Sequence, residues 1–503
     1  MLKWMTIAVV LCACTHGGNS VSKGDRCSVG NAWREYRSKH FLVYTDSSRD
    51  DAARIVRELE TLQALELQGL LGEQVEIPGR LRVIAMSDRA RFATLAGNYK
   101  IAGYIWHGGI GEPIMVFPIV SIEGSSTREV LAHELAHHLS WFIFPRQPGW
   151  FSEGLAGWVQ TVASDSSQEE PPVGTHLKVA HRRVRAAFGL APIEMTEWLT
   201  ERWVPIRELL NPDSQASKTR GPGFHLTSWL LYHWLWNNRS KEFSDYQRRL
   251  SNADDPVAAW RAALPEFDPA KPGALDRLEG ELDRYRRGGR YAFYNVATAE
   301  PDTAFTEAPL SSADVHLLLL EVRRHWPEKQ KSALVRAELE EALREDPENP
   351  VAIYRLSALD GSSPLVALRK AAVARPGDWR AWLSLGFAAA RDSEEEAAAF
   401  RKAGELNPDS AAAQAHFALA LANSGHLKEA LPFANRAADL APWEPGVLAT
   451  LAHVAVELGK CKEGLVLQAR AVDLSLSDAE SDHYRKKLRD YEARCAKVAS
   501  PAG

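Results

Sequence analysis

The chain has 503 residues, of which 45% are hydrophobic and 25% are charged, and its formal net charge is -5. This length exceeds the about 100 to 200 residues of a single domain, so two or three domains are expected. The composition is that of a soluble globular protein, which excludes a disordered chain and a multi-span membrane protein, and the mixing of basic with acidic residues excludes a nucleic-acid partner.

The first residues carry an apolar run at positions 4–11, directly after Lys3. The run is too short to span a bilayer and predicts a signal peptide over residues 1–14. The sequence Leu-Cys-Ala-Cys that ends at Cys14 resembles a bacterial lipobox, which implies a lipid on Cys14 as the membrane anchor. An ordinary secretion signal without lipid is the alternative. Because Thr15 rather than Asp follows, the resemblance implies a protein of the bacterial cell envelope, anchored in the outer membrane and facing the periplasm.

A first folded region is predicted over residues 31–290, with strands at its front and helices behind. A helical spacing of apolar residues covers residues 50–71. Strand composition is found at residues 41–44, 81–85, 103–106 and 114–117, and the last two predict a hairpin. From residue 126 onward the apolar spacing is helical, so this region is expected to be an α+β body. Two polar loops, 165–174 and 212–223, are either plain surface loops or flaps over a cleft.

The motif that carries chemistry is His133-Glu134-Leu135-Ala136-His137. On a helix, residues four apart share a face, so both imidazoles reach one ion, and Glu134 leans over a bound water. His138 points off this face and is interpreted as structural. The spacing therefore predicts a zinc site with His133 and His137 as ligands.

A third ligand is predicted at Glu153, which a Pro/Gly turn delivers to the start of another helix. Two histidines and one glutamate are a known ligand set for catalytic zinc, and they leave a coordination place for water. Zinc is thus the expected cofactor, and peptide-bond hydrolysis is the reaction that this arrangement suits best.

The pattern H-E-x-x-H followed by W-x-x-E-G-x-A, the latter spanning residues 150–156, resembles the gluzincin metallopeptidases of the MA clan. The chain looks like the bacterial peptidase-MA-like proteins that carry C-terminal tetratricopeptide repeats. This resemblance implies a zincin-like, thermolysin-like catalytic domain and a peptide or protein substrate. It also implies that residues 114–118 form the sheet edge strand that pairs with an extended substrate.

A second catalytic candidate is His225, at the head of an apolar helix where related proteins often place a tyrosine. We predict that His225 donates a hydrogen bond to the oxyanion of the transition state. Tyr232 and His233 are the alternatives, although aromatic and histidine side chains on an apolar helix are more often packed in the core.

The C-terminal part repeats with a period near 34, the length of a tetratricopeptide repeat. Prolines close successive units at Pro376, Pro408 and Pro442. We predict a linker over residues 291–312 and an all-α tetratricopeptide-repeat solenoid over residues 313–498, ending in a polar capping helix.

Cys461 and Cys495 fall in the last repeat and the capping helix, where they either form a disulfide or stay unpaired. The repeats also offer a surface for a protein partner. The main hypothesis is a zinc metallopeptidase of the cell envelope. The alternative is a lipid-anchored scaffold with an inactive or secondary zinc domain, and a hydrolase of non-peptide amides is a weaker third possibility.

Overall fold

The computed structural model describes residues 33–72, 75–97, 102–107, 112–119, 127–160, 163–164, 183–188, 203–288, 291–323, 328–475 and 477–499. The signal peptide and Cys14, like the loop 165–174, lie outside these residues. None of the helices found within the described ranges combines the length and apolarity that crossing a bilayer requires.

Nine strands form two sheets in the described residues. They are β1 (Arg34–Arg37), β2 (Phe41–Thr45), β3 (Leu81–Met86), β4 (Tyr104–Trp106), β5 (Ile114–Pro118), β6 (Ala163–Ser164), β7 (Arg183–Phe188), β8 (Tyr294–Ala299) and β9 (Thr306–Pro309). The larger sheet has six strands in the order β4-β5-β3-β2-β1-β9, and the smaller has the order β6-β7-β8. Strands β2, β3 and β5 are parallel, whereas β4, β1 and β9 pair antiparallel with their neighbours.

The predicted hairpin is confirmed, since β4 pairs antiparallel with β5. The implied edge strand is wrong: β5 lies between β4 and β3, and β4 is the edge. The reason is that β4 occupies the side of β5 that faces away from β3, with Ile105 opposite Met115. Strand β4 therefore carries the outward-facing backbone groups at this side of the sheet.

The described residues before 291 contain ten α-helices. They are α1 (Arg49–Leu71), α2 (Arg89–Ala96), α3 (Thr127–Ile143), α4 (Gly149–Gln160), α5 (Ile206–Leu209), α6 (Gln215–Thr219), α7 (Pro222–Asn238), α8 (Ser240–Ser251), α9 (Pro256–Ala263) and α10 (Ala274–Gly288). One core joins α1, α3, α4 and α7 to the face of the larger sheet that includes Phe41 and Val43. The region is therefore α+β, as expected.

The stretch 291–312, expected to be a linker, instead contains β8 and β9. Strand β8 pairs with β7, and β9 pairs with β1 as the outermost strand of the larger sheet. The following helix, α11 (Ser312–Val322), then lays Val315, Leu318 and Leu319 on the second face of that sheet. Because backbone pairing and apolar burial both cross residue 291, the first folded region extends through α11.

The C-terminal part is a solenoid of antiparallel helix pairs, and its repeat-like character is confirmed. Its further helices are α12 (Glu328–Glu345), α13 (Pro350–Asp360), α14 (Leu365–Ala374), α15 (Trp379–Ala388), α16 (Glu394–Leu406), α17 (Ala411–Asn423), α18 (Leu427–Leu440), α19 (Pro445–Glu457), α20 (Cys461–Asp473) and α21 (Asp478–Ala499). Pro376, Pro408 and Pro442 each stand just beyond a helix end, where a missing N–H costs nothing. Helix α21 caps the stack.

A disulfide joins Cys461, at the start of α20, to Cys495 in the capping helix α21. Since the bond closes a loop with a sequence separation of 34, it restricts the unfolded chain. We expect the double variant Cys461→Ser, Cys495→Ser to lose about 3 to 4 kcal/mol of stability in this cap. The measurement is the urea midpoint of the oxidised protein against the variant. Reductant should lower the midpoint of the parent and leave the variant unchanged; equal midpoints for both proteins would contradict the expectation.

Candidate metal centre

The centre is built on α3, a 17-residue helix that presents His133 and His137 one turn apart. Their Nε2 atoms lie 3.1 Å from each other, so the two imidazoles converge on one point as the i, i+4 spacing predicted. Both rings are partly buried, with side chains 20% and 15% exposed. The predicted pair is therefore brought together at a site that solvent reaches.

Glu153 joins them from the first turns of α4. Its Oε2 lies 3.7 Å from His133 Nε2 and 3.4 Å from His137 Nε2. The three residues offer ligand atoms within 4.8 Å of one another. Glu153 Oε2 is buried and has no hydrogen-bond partner in the described structure, which is costly for a carboxylate oxygen unless a cation completes it. Two imidazole nitrogens and one carboxylate oxygen fit the donor set of catalytic zinc.

Two side chains that the sequence did not identify orient the histidines. His133 Nδ1 lies 3.0 Å from Gln160 Oε1, and His137 Nδ1 lies 2.9 Å from Ser152 Oγ. Such contacts at the second ring nitrogen fix the ring and direct Nε2 toward a metal. Helical spacing could have identified Gln160 from the sequence, because it lies two turns after Glu153 on the same face of α4.

Helix α7 approaches α4 closely because Gly154 has no side chain. A Cβ at Gly154 would lie 2.7 Å from the backbone oxygen of Ser228, a distance that would force the helices apart. This contact brings the first turn of α7 to the metal centre. His225 Nε2 lies there, 3.2 Å from Glu153 Oε2, with its side chain 45% exposed. The structure thus places His225 beside the predicted ligands.

Arg220 is a further residue that sequence reasoning missed. Its Nη1 lies 3.3 Å from Glu153 Oε1, and its guanidinium group lies against Gly149, where a Cβ would approach it to 3.0 Å. Arg220 has a φ of 44°, a left-handed conformation that is uncommon for a residue with a side chain. The stretch 212–223, predicted as a loop, instead contains α6 and the first residues of α7. Arg220, between these helices, contributes to the site, although no sequence pattern marked this arginine.

The alternatives to His225 lie elsewhere. Tyr232 is fully buried, and its hydroxyl accepts a hydrogen bond from Gln247 Nε2 at 3.3 Å. His233 is also fully buried, with Nδ1 2.8 Å from the hydroxyl of Tyr285 and Nε2 3.0 Å from the backbone oxygen of Ala292. Both are satisfied core residues.

The surroundings of the centre shift the pKa values of Glu153 and Glu134 in opposite directions. Burial alone would raise the pKa of Glu153, but His137, His133 and His225 outweigh it and hold that pKa well below its usual range. The pKa of Glu134 is raised, chiefly by burial. A carboxylate with a raised pKa is suited to accept and return a proton near neutral pH.

Glu134 is itself held in place by the edge strand. Its Oε2 accepts a hydrogen bond of 2.9 Å from the backbone N–H of Ile105 in β4. His107, just beyond this strand, stacks on His138 with an interplanar angle of 9°, and His107 Nε2 lies 3.2 Å from His138 Nδ1. Burial lowers the pKa of both rings, that of His138 to about 3. His138 is therefore a neutral packing residue at neutral pH, in line with its structural interpretation.

No family model and no curated protein matches the chain. Solved structures that are similar to it include two that are described as tetratricopeptide-repeat proteins. A thermophilic one from Thermus thermophilus is 19% identical, covering 36% of this chain and 100% of that one with a TM-score of 0.28. YrrB, described as having an unusual peptide-binding site, is 18% identical over 35% and 92%, with a TM-score of 0.25. Yeast Tom70 is 12% identical over 56% and 61%, with a TM-score of 0.29.

Proposed function

We propose that the protein is a zinc-dependent peptidase of the gluzincin type, with a zincin-like catalytic domain. The observation that carries this proposal is the convergence of His133, His137 and Glu153, whose ligand atoms lie within 4.8 Å, next to the carboxylate of Glu134. Zinc bound there would polarise a substrate carbonyl and lower the pKa of a water molecule.

The chain's own residues supply the remaining steps. Glu134 accepts the proton of the attacking water and returns it to the leaving amine nitrogen. Ser152 and Gln160 keep the two imidazoles in the orientation that binding requires, and Arg220 keeps Glu153 in place.

His225 is the proposed donor to the oxyanion. Its Nε2 faces the centre from α7. Burial alone would lower the pKa of His225, but the neighbouring Glu153 carboxylate raises it, which favours the protonated, donating ring. We expect His225→Phe to lower kcat by about 10²- to 10³-fold with little change in KM. The measurement is steady-state hydrolysis of a peptide at matched zinc content.

A control variant for this prediction is His225→Gln, which keeps an N–H donor and should retain part of the activity. An unchanged kcat in His225→Phe would exclude the assignment. If instead His225→Phe lost its zinc, the histidine would act by holding the ligand set rather than as a donor.

A second candidate function is partner binding by the solenoid. A cavity of about 490 Å³ lies between α17, α19 and the capping helix α21, and its lining includes His453, Tyr484 and Lys487. A groove of this size with polar and aromatic walls suits an extended peptide. In this case the protein would act as an envelope scaffold, and hydrolysis would be secondary or absent.

We infer that the protein works outside the cytoplasm, anchored by a lipid on Cys14. The support is the apolar N-terminal run together with the disulfide between Cys461 and Cys495. Disulfides of this kind persist in oxidising compartments such as the periplasm.

A further inference from the structure

The solenoid touches the first folded region directly beside the metal centre. Trp443 lies in the turn between α18 and α19, and only 4% of its surface is exposed. Its ring centroid lies 4.7 Å from that of His107, 5.7 Å from that of His138 and 5.6 Å from that of Phe142. One indole from the repeats is therefore buried against both the helix that carries the metal ligands and the residue that follows the edge strand.

His107 connects this contact to the strand. It stacks on the ring of His138, and Trp443 packs against both of these imidazoles. Strand β4 ends one residue earlier, at Trp106. A clamp on His107 therefore limits how far β4 can move away from α3.

The position of β4 matters because of a single hydrogen bond. The backbone N–H of Ile105 donates to Glu134 Oε2 at 2.9 Å, two residues before His107. Strand β4 has three residues and pairs with β5 alone in the described sheet, so contacts at its end help to position the Ile105 N–H. The orientation of the Glu134 carboxylate thus depends on a strand that the solenoid helps to hold.

Two ion pairs between the regions are weaker anchors than this buried indole. Arg146 pairs with Asp473 at 2.7 Å and Arg80 with Asp409 at 3.6 Å, but all four side chains are between 21% and 43% exposed. Exposed ion pairs contribute little and are screened by salt. A buried aromatic ring in a closely packed pocket contributes more to holding two surfaces together.

We propose that Trp443 is a positioning residue of the metal centre. It holds His107 against α3, keeps β4 in register with the centre, and so allows Ile105 to orient Glu134. A residue of the solenoid thus helps to position the side chains of the metal centre. The catalytic consequence rests on the proposed peptidase function, whereas the structural consequence does not.

The test uses hydrogen–deuterium exchange of the full-length protein without substrate, followed at the amides of residues 104–106. Trp443→Ala should accelerate exchange in β4 by about tenfold or more, because the strand loses the clamp at its end. Trp443→Phe, which keeps an aromatic ring, should restore most of the protection. The matched control is Trp382→Ala, which removes an indole from another repeat, where Trp382 Nε1 donates to the backbone oxygen of Pro376.

Because Trp443→Ala could unfold the repeats, a second variant changes the contact from the side of the first region. His107→Ala leaves the solenoid sequence intact and should accelerate β4 exchange to a similar extent, with no further change in the double variant. Unchanged β4 exchange in His107→Ala, or equal acceleration in Trp382→Ala, would overturn the proposal.

Activity gives a second, separable readout. At equal zinc content, Trp443→Ala should lower kcat by about tenfold and leave KM nearly unchanged, since it disturbs the orientation of Glu134 rather than peptide contacts. If the parent protein hydrolyses no peptide, the proposed function fails while β4 exchange still decides the role of Trp443. A lower unfolding midpoint with parent-like β4 exchange would show a purely structural anchor and would also overturn the proposal.

Discussion

Glu134→Gln is expected to abolish peptide hydrolysis while the protein keeps its zinc. The amide preserves the shape of the side chain and still accepts the hydrogen bond from Ile105, but it cannot take a proton from water. Loss of a general base costs about 10²- to 10⁴-fold in rate. The measurement is kcat/KM on a peptide-library substrate, with metal content determined on the same sample.

This variant also separates the two candidate functions. If the protein is a scaffold, cells that carry Glu134→Gln behave like cells with the parent protein, because the solenoid is untouched. Glu129→Gln, a change near the start of the same helix, is the matched control and should keep full activity. Undiminished hydrolysis in Glu134→Gln would remove the basis of the proposed mechanism.

His133→Ala is expected to abolish zinc binding. The variant removes one of the two nitrogens that face Glu153 Oε2, and a site with two remaining protein ligands binds zinc far more weakly than one with three. A loss of at least about 10²-fold in affinity is expected, measured by zinc titration against a competing chelator.

The control for this experiment is His426→Ala, which removes an exposed imidazole from the solenoid and should leave the stoichiometry at one zinc per chain. It detects metal bound adventitiously to surface histidines. Full occupancy in His133→Ala would refute the ligand assignment, whatever the activity.

The convergence of His133, His137 and Glu153 was predictable from sequence because it depends on local geometry. The spacing of His133 and His137 fixes their common face, and the Pro/Gly turn before α4 fixes where Glu153 enters. Arg220 was not predictable, because its approach to Glu153 depends on its left-handed backbone conformation at the end of α6. The contacts of Trp443 could not be predicted for another reason, because its partners lie more than 300 positions earlier in the chain.

The boundary between the two regions also depends on long-range contacts that the sequence did not predict. The repeat period correctly indicated helix pairs, but it gave no means of seeing that α11 is buried on the sheet as well as on the repeats. A hint was present in the continuous apolar run Leu317 to Leu320, since a helix that is apolar on all sides is buried on all sides. The pairing of β9 with β1 had no local pattern, because antiparallel pairing of distant strands follows from tertiary contacts.

The outermost strand also sets an order of events during synthesis. Strand β1 ends at Arg37, but its partner β9 begins at Thr306. At a translation rate of about 5 to 20 residues per second, the nascent chain waits roughly 15 to 55 s between the two. Throughout that interval one side of β1 has no strand beside it, and such an edge is prone to pair with other chains. A holdase chaperone that keeps the polypeptide unfolded until both strands are present in the same compartment would therefore raise the yield of folded protein.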